Sequence, residues 1–163
     1  MGYTIARLGL VFMPSFEKLT IPTAGERITF EEGQPIVPNN PIVPFIRGDG
    51  TGVDIWPATQ KVIDSAITFC YGGKRKINWF KIYAGDEACE KYGIYNYLPQ
   101  DTIEAIKFFG VAIKGPLTTP IGGGIRSLNV ALRQIFDLYS CVRPCKYYSG
   151  TPSPHKKPQD LDI

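Results

Sequence analysis

The stretch IVPFIRGDGTGVDIWPATQKVIDSAITFC, residues 42–70, decides the fold class. Its first five residues form a compact apolar run, which is typical of a buried strand. The glycine-rich segment GDGTG (48–52) follows and is too rich in glycine to continue a strand. The apolar residues that then recur at helical spacing are Val62, Ile63, Ala66, Ile67 and Cys70. The stretch therefore predicts a strand, a glycine turn and a helix.

Further elements are predicted on both sides of this unit. Upstream, residues 28–30 and 36–37 flank a turn that ends in Gly33, which predicts a small hairpin, and Pro35 places that hairpin at an edge. Downstream, Gly72 and Gly73 end the long helix, and the alternating, aromatic-rich residues 77–83 predict a second strand.

The remaining elements continue the alternation of helices and strands. We expect a short helix over residues 86–92 and a second one opened by Pro99 and Asp101. In the second helix Ile103, Ile106 and Phe109 share a face, and Gly110 ends it. The later predicted elements are a buried strand at 111–113, an irregular loop at 114–124, a helix from the capping residue Ser127 to about Phe136, a strand at 138–142 and a proline-rich polar end at 149–163. This order predicts an α/β fold with a mixed, largely parallel sheet flanked by helices.

Composition limits the classes of function. The chain has 163 residues, 44 % hydrophobic and 20 % charged, which is typical of a soluble globular domain, and no apolar window is long enough to cross a bilayer. The net charge of +3 is small and unpatterned, so we expect no nucleic-acid partner and no membrane partner. The composition does not exclude a small anionic ligand.

The cysteines indicate a reducing compartment. No export signal precedes Cys70, Cys89, Cys141 and Cys145, so we expect reduced thiols in a cytoplasm. The spacing of the last two to the single histidine, His155, fits no common zinc pattern.

A cluster of polar residues around glycines predicts an anion site. Lys114, Thr118 and Thr119 follow a predicted strand, and ligands of open α/β sheets bind beyond the carboxyl ends of strands. Ser127 lies at the amino end of the next helix, where Asn129 and Arg133, four residues apart, share one face. Arg143 adds a second guanidinium just past a predicted strand.

Two interpretations of this cluster compete. Guanidinium groups bind carboxylates through paired hydrogen bonds, so the cluster suits a multiply charged carboxylate. Alternatively, Arg133 and Arg143 are surface ion-pair formers, Ser127 is an ordinary cap and the glycines form a long turn. The pattern alone slightly favours this second interpretation. The GDGTG segment is likewise better explained as a structural turn than as a dinucleotide fingerprint, since its spacing differs from GxGxxG.

A family resemblance adds to these patterns. The strings GDGTGVD (48–54), VAIKGPLTTP (111–120) and GGGIRSLNVALRQ (122–134) resemble those of bacterial, and specifically cyanobacterial, NADP-dependent isocitrate dehydrogenases of the isocitrate/isopropylmalate dehydrogenase family. The resemblance runs from about Phe16 to the last residue and includes YY (147–148) and GTPSP (150–154). It implies an incomplete fold of that family type.

The resemblance also implies roles for individual residues. Ser127, Asn129, Arg133 and Arg143 would hold the carboxylates of isocitrate, Lys114 would line the substrate site, and Thr118 would contact NADP. The implied reaction converts isocitrate and NADP to 2-oxoglutarate, CO2 and NADPH in the tricarboxylic acid cycle, with Mg2+ or Mn2+.

The rest of the family site is expected outside this sequence. By resemblance, the catalytic tyrosine and lysine, the metal-binding aspartates, another substrate arginine and the main NADP-binding loop follow residue 163, so both cofactors require that missing part. The complete enzyme is a homodimer whose site takes residues from both subunits. No catalytic or metal residue is therefore expected in this chain, and the isolated chain is expected to be inactive. The alternative hypotheses are a non-catalytic truncated fragment and one half of a split enzyme.

The resemblance implies a division of the chain into three parts. Residues 1–15 would be an extension of uncertain status, 16–137 the amino-terminal part of the large α/β domain, and 138–163 the start of a truncated small domain.

Overall fold

The computed structural model describes residues 14–118 and 127–160. The fold is α/β, with a parallel sheet flanked by helices, as the sequence predicts. The elements in chain order are β1 (Thr29–Glu31), β2 (Gln34–Ile36), β3 (Ile42–Ile46), α1 (Gly52–Tyr71), β4 (Asn78–Ile82), α2 (Asp86–Tyr92), α3 (Gln100–Phe109), β5 (Ile113–Lys114), α4 (Leu128–Ile135) and a 3₁₀ turn, Pro158–Asp160.

The main sheet has the strand order β4-β3-β5, and both pairings are parallel. Ile46, the last residue of β3, is in register with Ile82 of β4 and Lys114 of β5. The three strands therefore end together at one edge of the sheet. β1 and β2 form a separate antiparallel hairpin, as predicted, with Glu32 and Gly33 at positive φ in its turn.

One face of the sheet packs against α3. Its buried side chains come from alternate strand positions, as the two-residue period of a strand requires. They include Ile46 of β3 and Phe80 of β4, which meet Ala105 and Phe109 of α3. The rings of Phe80 and Phe109 lie 5.4 Å apart in an edge-on arrangement. This face holds the main hydrophobic core.

The opposite face packs against α1 through aromatic rings. Trp56 of α1 is buried and stacks on Phe45 of β3 at 4.1 Å between centroids. Trp79 of β4 meets the Trp56 ring edge-on at 5.2 Å, and its indole N–H donates to Asp64 of α1 at 3.0 Å. Helix α1 is therefore fixed to the sheet near its amino end and near its middle.

The predicted helix ends are confirmed at the glycines. Gly72 and Gly110 both adopt the left-handed conformation directly after α1 and α3, and each donates its N–H back into the helix that it ends. Only glycine adopts this conformation without a steric cost, so the sequence could indicate both positions. The bounds of β3 and α2 also coincide with the predicted ones.

Three local predictions differ from the structure. Residues 138–142, predicted as a strand, have irregular backbone, and Tyr139 and Val142 are exposed. The strand predicted at 111–113 is shorter and later, because pairing with β3 is confined to Ile113 and Lys114. In α3 the buried positions include Thr102, Ala105 and Phe109, while Ile103 is half-buried.

The stripe predicted along α1 is not the buried one. Val62, Ala66 and Cys70 are exposed, whereas Gly52 and Trp56 are the residues of this helix that are fully buried. The reason is that the aromatic packing on the sheet is made at the amino end of α1, where Trp56 stacks on Phe45, while Ile63 and Ile67 of the predicted stripe are half-buried.

A buried carboxylate fastens the amino-terminal segment to α3. Asp101, in the first turn of α3, accepts hydrogen bonds from the backbone N–H groups of Glu17 and Lys18 at 3.0 and 2.8 Å. The Tyr92 hydroxyl donates to the same carboxylate at 2.7 Å. Burial alone would raise the pKa of Asp101, but these donors outweigh burial and lower its pKa below the ordinary value. Phe16 then packs against the core.

The lowered pKa of Asp101 predicts a pH-dependent contribution to stability. A folded-state pKa below the unfolded value stabilises the fold above about pH 4, and this stabilisation is lost as the pH falls through the folded-state pKa. We expect Asp101→Asn to lower the free energy of unfolding at pH 7 by about 1–3 kcal/mol, because hydrogen-bond donors lose a charged acceptor. The difference from wild type should shrink as the pH falls to about 3.

Urea unfolding between pH 7 and pH 3 measures this difference. The matched control is Glu90→Gln on the exposed surface of α2, which should change the free energy of unfolding by less than about 0.5 kcal/mol. A loss for Asp101→Asn that is the same at every pH would contradict the charge-based explanation.

Candidate functional site

The candidate site lies at the edge where the three parallel strands end. The segment after β5 crosses the end of β3, and the Gly115 N–H donates to the Ile46 carbonyl at 2.8 Å. A Cβ at position 115 would lie 2.0 Å from the Arg47 carbonyl oxygen, so only glycine allows so close an approach. Lys114, immediately before, is thereby held at the carboxyl end of the sheet.

The glycine turn after β3 holds the same segment further along. The Asp49 N–H donates to the Pro116 carbonyl at 2.8 Å, and the Asp49 carboxylate accepts from the Thr118 N–H at 2.8 Å. A Cβ at Gly48 would lie 2.2 Å from the Pro116 oxygen, which again requires glycine. The GDGTG turn is therefore a structural strand-to-helix turn, as the sequence predicts.

A cavity of about 590 Å³ lies between β5, α3 and α4. Its apolar wall comes mainly from Ile46, Ile106, Val111, Leu132, Phe136 and Leu138. Its polar lining includes Lys107, Lys114, Asn129 and Arg133, so among the described residues three bases and no acid line this space. A cavity lined in this way attracts anions.

Lys114 and Arg133 lie close enough to influence each other. Burial lowers the pKa of Lys114 below its ordinary value, the positive charge of Arg133 lowers it further, and Asp49 acts in the opposite direction. The Lys114 ammonium also donates to the Gly115 carbonyl at 2.6 Å. Two like charges close enough to interact indicate a place where an anion would relieve their repulsion.

The structure brings three of the six predicted site residues into this cavity, namely Lys114, Asn129 and Arg133. Asn129 and Arg133 are one turn apart on α4 and face the cavity together. Ser127 occupies the cap position of α4, as predicted, but its hydroxyl makes no capping hydrogen bond among the described residues. That hydroxyl is therefore not committed to the helix end.

The other two predicted residues lie outside the cavity lining. Thr118 is exposed at the end of the segment that follows β5, and its backbone N–H is bonded to Asp49. Arg143 is exposed in irregular chain after α4, and its Nε donates to the Cys141 sulfur at 3.4 Å. This contact lowers the pKa of the Cys141 thiol. Arg143 therefore does not line the cavity, but its guanidinium and that of Arg133 both lower the pKa of the Cys141 thiol, so the two arginines lie near the same sulfur. Thr119 lies outside the described residues.

Sequence reasoning missed two residues of the site. Lys107, in the last turn of α3, contributes the third base of the cavity. Its position in a predicted helix gave no indication that its side chain would line a site. Asp49 was assigned only to a turn, although its carboxylate is buried and binds two backbone N–H groups. The one feature of the sequence that could have indicated this role was a charged residue between two glycines.

The described residues contain neither a grouped set of metal ligands nor a membrane-spanning helix. Within residues 14–118 and 127–160, no three histidine, cysteine, aspartate or glutamate side chains are grouped as a metal site. No helix of that part of the chain is long and apolar enough to span a membrane. All four cysteines are free thiols.

The sequence of residues 42–163 matches the family model described as isocitrate/isopropylmalate dehydrogenase. The chain belongs to the isocitrate/isopropylmalate dehydrogenase family. All six predicted site residues lie inside the matched region. The parallel sheet and the glycine turn of this family member lie there as well.

Three similar curated proteins share the name "Isocitrate dehydrogenase [NADP]". The protein of that name from Nostoc sp. is 72 % identical over 148 residues, which are 91 % of this chain and 31 % of the relative. The Synechocystis sp. protein gives the same identity and coverage. The Coxiella burnetii protein is 53 % identical over 153 residues, 94 % of this chain and 36 % of the relative. The chain thus spans about a third of the length of these relatives.

The proximity of the two bases predicts a measurable coupling. Arg133→Gln should raise the pKa of Lys114, because it removes a nearby positive charge. The pKa should stay below the ordinary value of about 10.4, since burial is the larger cause and is unchanged. Arg133→Lys retains the charge and is the matched control. Side-chain NMR titration of Lys114 in the three proteins measures the effect, and an unchanged pKa in Arg133→Gln would rule out the coupling.

Proposed function

We propose that the chain is the amino-terminal portion of an NADP-dependent isocitrate dehydrogenase and supplies its carboxylate-binding residues. The proposed reaction is the conversion of isocitrate and NADP to 2-oxoglutarate, CO2 and NADPH. The proposed enzyme is cytoplasmic, works as a homodimer and uses Mg2+ or Mn2+. Residues 16–137 would belong to its large domain, 138–163 to the start of its small domain, and 1–15 to an extension.

The cavity with three bases and no acid carries this proposal. Isocitrate has three carboxylates, and Lys114, Arg133 and Lys107 provide three positive charges around one space. Charged hydrogen bonds to carboxylates are about twice as strong as neutral ones, and the guanidinium of Arg133 can form two in parallel. The names and identities of the relatives point to the same substrate.

The residues of the cavity would bind and orient the substrate. Arg133 and Lys114 would each take a carboxylate, and the Asn129 amide can donate to a hydroxyl or carboxylate oxygen between them. The apolar wall excludes water from one side, which strengthens these charged contacts. Ser127, whose hydroxyl is free of the helix cap, would add a donor at the amino end of α4.

The two cofactors fit the described residues to different degrees. Thr118 has an exposed side chain at the carboxyl edge of the sheet, where nucleotides bind in open α/β folds, so it suits a contact with NADP. When bound, NADP would accept the hydride. The described residues hold no group of ligands for a divalent metal, so we assign no step to a metal in this part of the protein.

Isocitrate titration of the 163-residue chain tests the proposal. Arg133→Gln should weaken binding roughly ten- to hundredfold, because a charged hydrogen bond is worth about 1.5–3 kcal/mol. The control is Arg75→Gln, which removes the same charge from a residue that stacks on Tyr71, away from the cavity. NMR or calorimetric titration measures the affinity. Equal effects of the two substitutions, or no saturable binding by wild type, would contradict the proposed clamp.

Ser127 provides a second test of the same site. Ser127→Ala should weaken isocitrate binding by about 1 kcal/mol, the net value of one neutral hydrogen bond. Ser127→Asp should weaken it far more, since two negative charges roughly 4 Å apart repel by about 4 kcal/mol at an effective dielectric constant near 20. Phosphorylation of Ser127 would act in the same direction.

Isocitrate titration of both Ser127 variants measures these effects. Equal losses for alanine and aspartate would contradict the electrostatic explanation. Unchanged affinity in both variants would remove Ser127 from the site.

A further inference from the structure

Asp49 is a buried carboxylate that has no ion-pair partner among the residues that the structure describes. Its side chain lies in the glycine turn after β3, and the residue is 6 % exposed. Oδ1 accepts from the Asp86 N–H at 2.9 Å and Oδ2 from the Thr118 N–H at 2.8 Å. No lysine, arginine or histidine of the described residues lies within ion-pair distance of it. Burying a carboxylate costs several kcal/mol unless donors compensate, so its position needs an explanation.

The two hydrogen bonds join segments that are far apart in sequence. Asp86 begins α2, and Thr118 ends the described segment after β5. The chain at Gly85 comes so close that a Cβ there would lie 2.3 Å from the Asp49 carboxylate. One side chain therefore connects the turns that follow all three parallel strands.

Thr118 depends on this carboxylate for its backbone position. The strand before it has two residues, and the segment from Gly115 onward is irregular. Backbone hydrogen bonds fix Gly115 and Pro116, whereas the Thr118 N–H is bonded to the Asp49 side chain. An exposed threonine on irregular chain adopts many conformations unless its backbone is fixed. The carboxylate supplies that restraint.

We propose that Asp49 is a positioning residue for nucleotide binding, because its carboxylate holds Thr118 in the place where it contacts NADP. This inference rests on the proposed function, in which Thr118 binds the nucleotide. Asp49 itself does not touch the nucleotide in this proposal, since both of its oxygens are directed at backbone N–H groups. Its effect on affinity is exerted through Thr118.

Asp49→Asn tests the restraint directly. Asparagine has nearly the same size but one acceptor oxygen, so either Thr118 or Asp86 loses its acceptor. In the 163-residue chain, amide hydrogen exchange at Thr118 or Asp86 should accelerate about tenfold, as expected for one lost hydrogen bond. Exchange at Phe80, buried in β4, reports on the whole fold and should change by a smaller factor. The control is Asp54→Asn, the same charge change at an exposed position of α1.

A double-mutant cycle separates positioning from general structural damage. NADP+ titration of the complete enzyme that the proposed function implies should show about tenfold weaker binding for Asp49→Asn and for Thr118→Ala. If Asp49 acts through Thr118, Asp49→Asn should add little in the Thr118→Ala background. The proposal would be overturned if the affinity losses of Asp49→Asn and Thr118→Ala multiply in the double variant. It would also be overturned if Asp49→Asn leaves the NADP+ affinity unchanged, or leaves hydrogen exchange at both amides unchanged.

Measurements on the complete wild-type enzyme provide an independent check in case Asp49→Asn does not fold. NADP+ should change the amide signals of Thr118 and Asp86 together, because both bind the same carboxylate. Saturable binding that changes neither signal would overturn the proposal, as would the absence of NADP+ binding. Isocitrate binding is measured separately, so a failure here is distinguishable from a failure of the proposed clamp.

Discussion

Parallel pairing on both edges of β3 is the constraint on which the rest of the structure depends. Parallel neighbours cannot be joined by a tight turn, so the chain must cross over the sheet and usually does so through a helix. The crossover from β3 to β4 runs one way along the sheet and that from β4 to β5 runs the other way. Right-handed crossovers in opposite directions cover opposite faces, which is why α1 and α3 lie on different sides.

The sequence could indicate those elements whose causes are local. The apolar run of β3 and the left-handed glycines Gly72 and Gly110 act within a few residues, so their positions follow from the chain itself. Gly48 and Gly115 also indicated irregular chain, but the close backbone contacts that require glycine there are with distant residues, Pro116 and Arg47, and did not follow from the pattern. Grouping Lys114 with the helix that bears Arg133 also followed, since strand ends and helix starts meet at one edge.

Features that need a distant partner could not be predicted in this way. Residues 138–142 have strand-like composition, but a strand forms only where another strand offers hydrogen bonds, and none among the described residues pairs with them. The buried side of α1 depends on where Trp56 meets the ring of Phe45, which spacing within the helix does not reveal. The role of the Asp49 carboxylate depends on Thr118, 69 residues away.

The charge distribution at the strand ends explains how one site can contain both a buried acid and a set of bases. Had Asp49 paired with Lys114, the cavity would have lost one positive charge to the protein itself. Two backbone N–H groups satisfy the carboxylate instead, so its charge is compensated by dipoles that no ligand could use. Lys114 and Arg133 consequently face the cavity without a carboxylate partner within ion-pair distance among the described residues. The acid stabilises the loop that follows β5, and the bases stay available for an external anion.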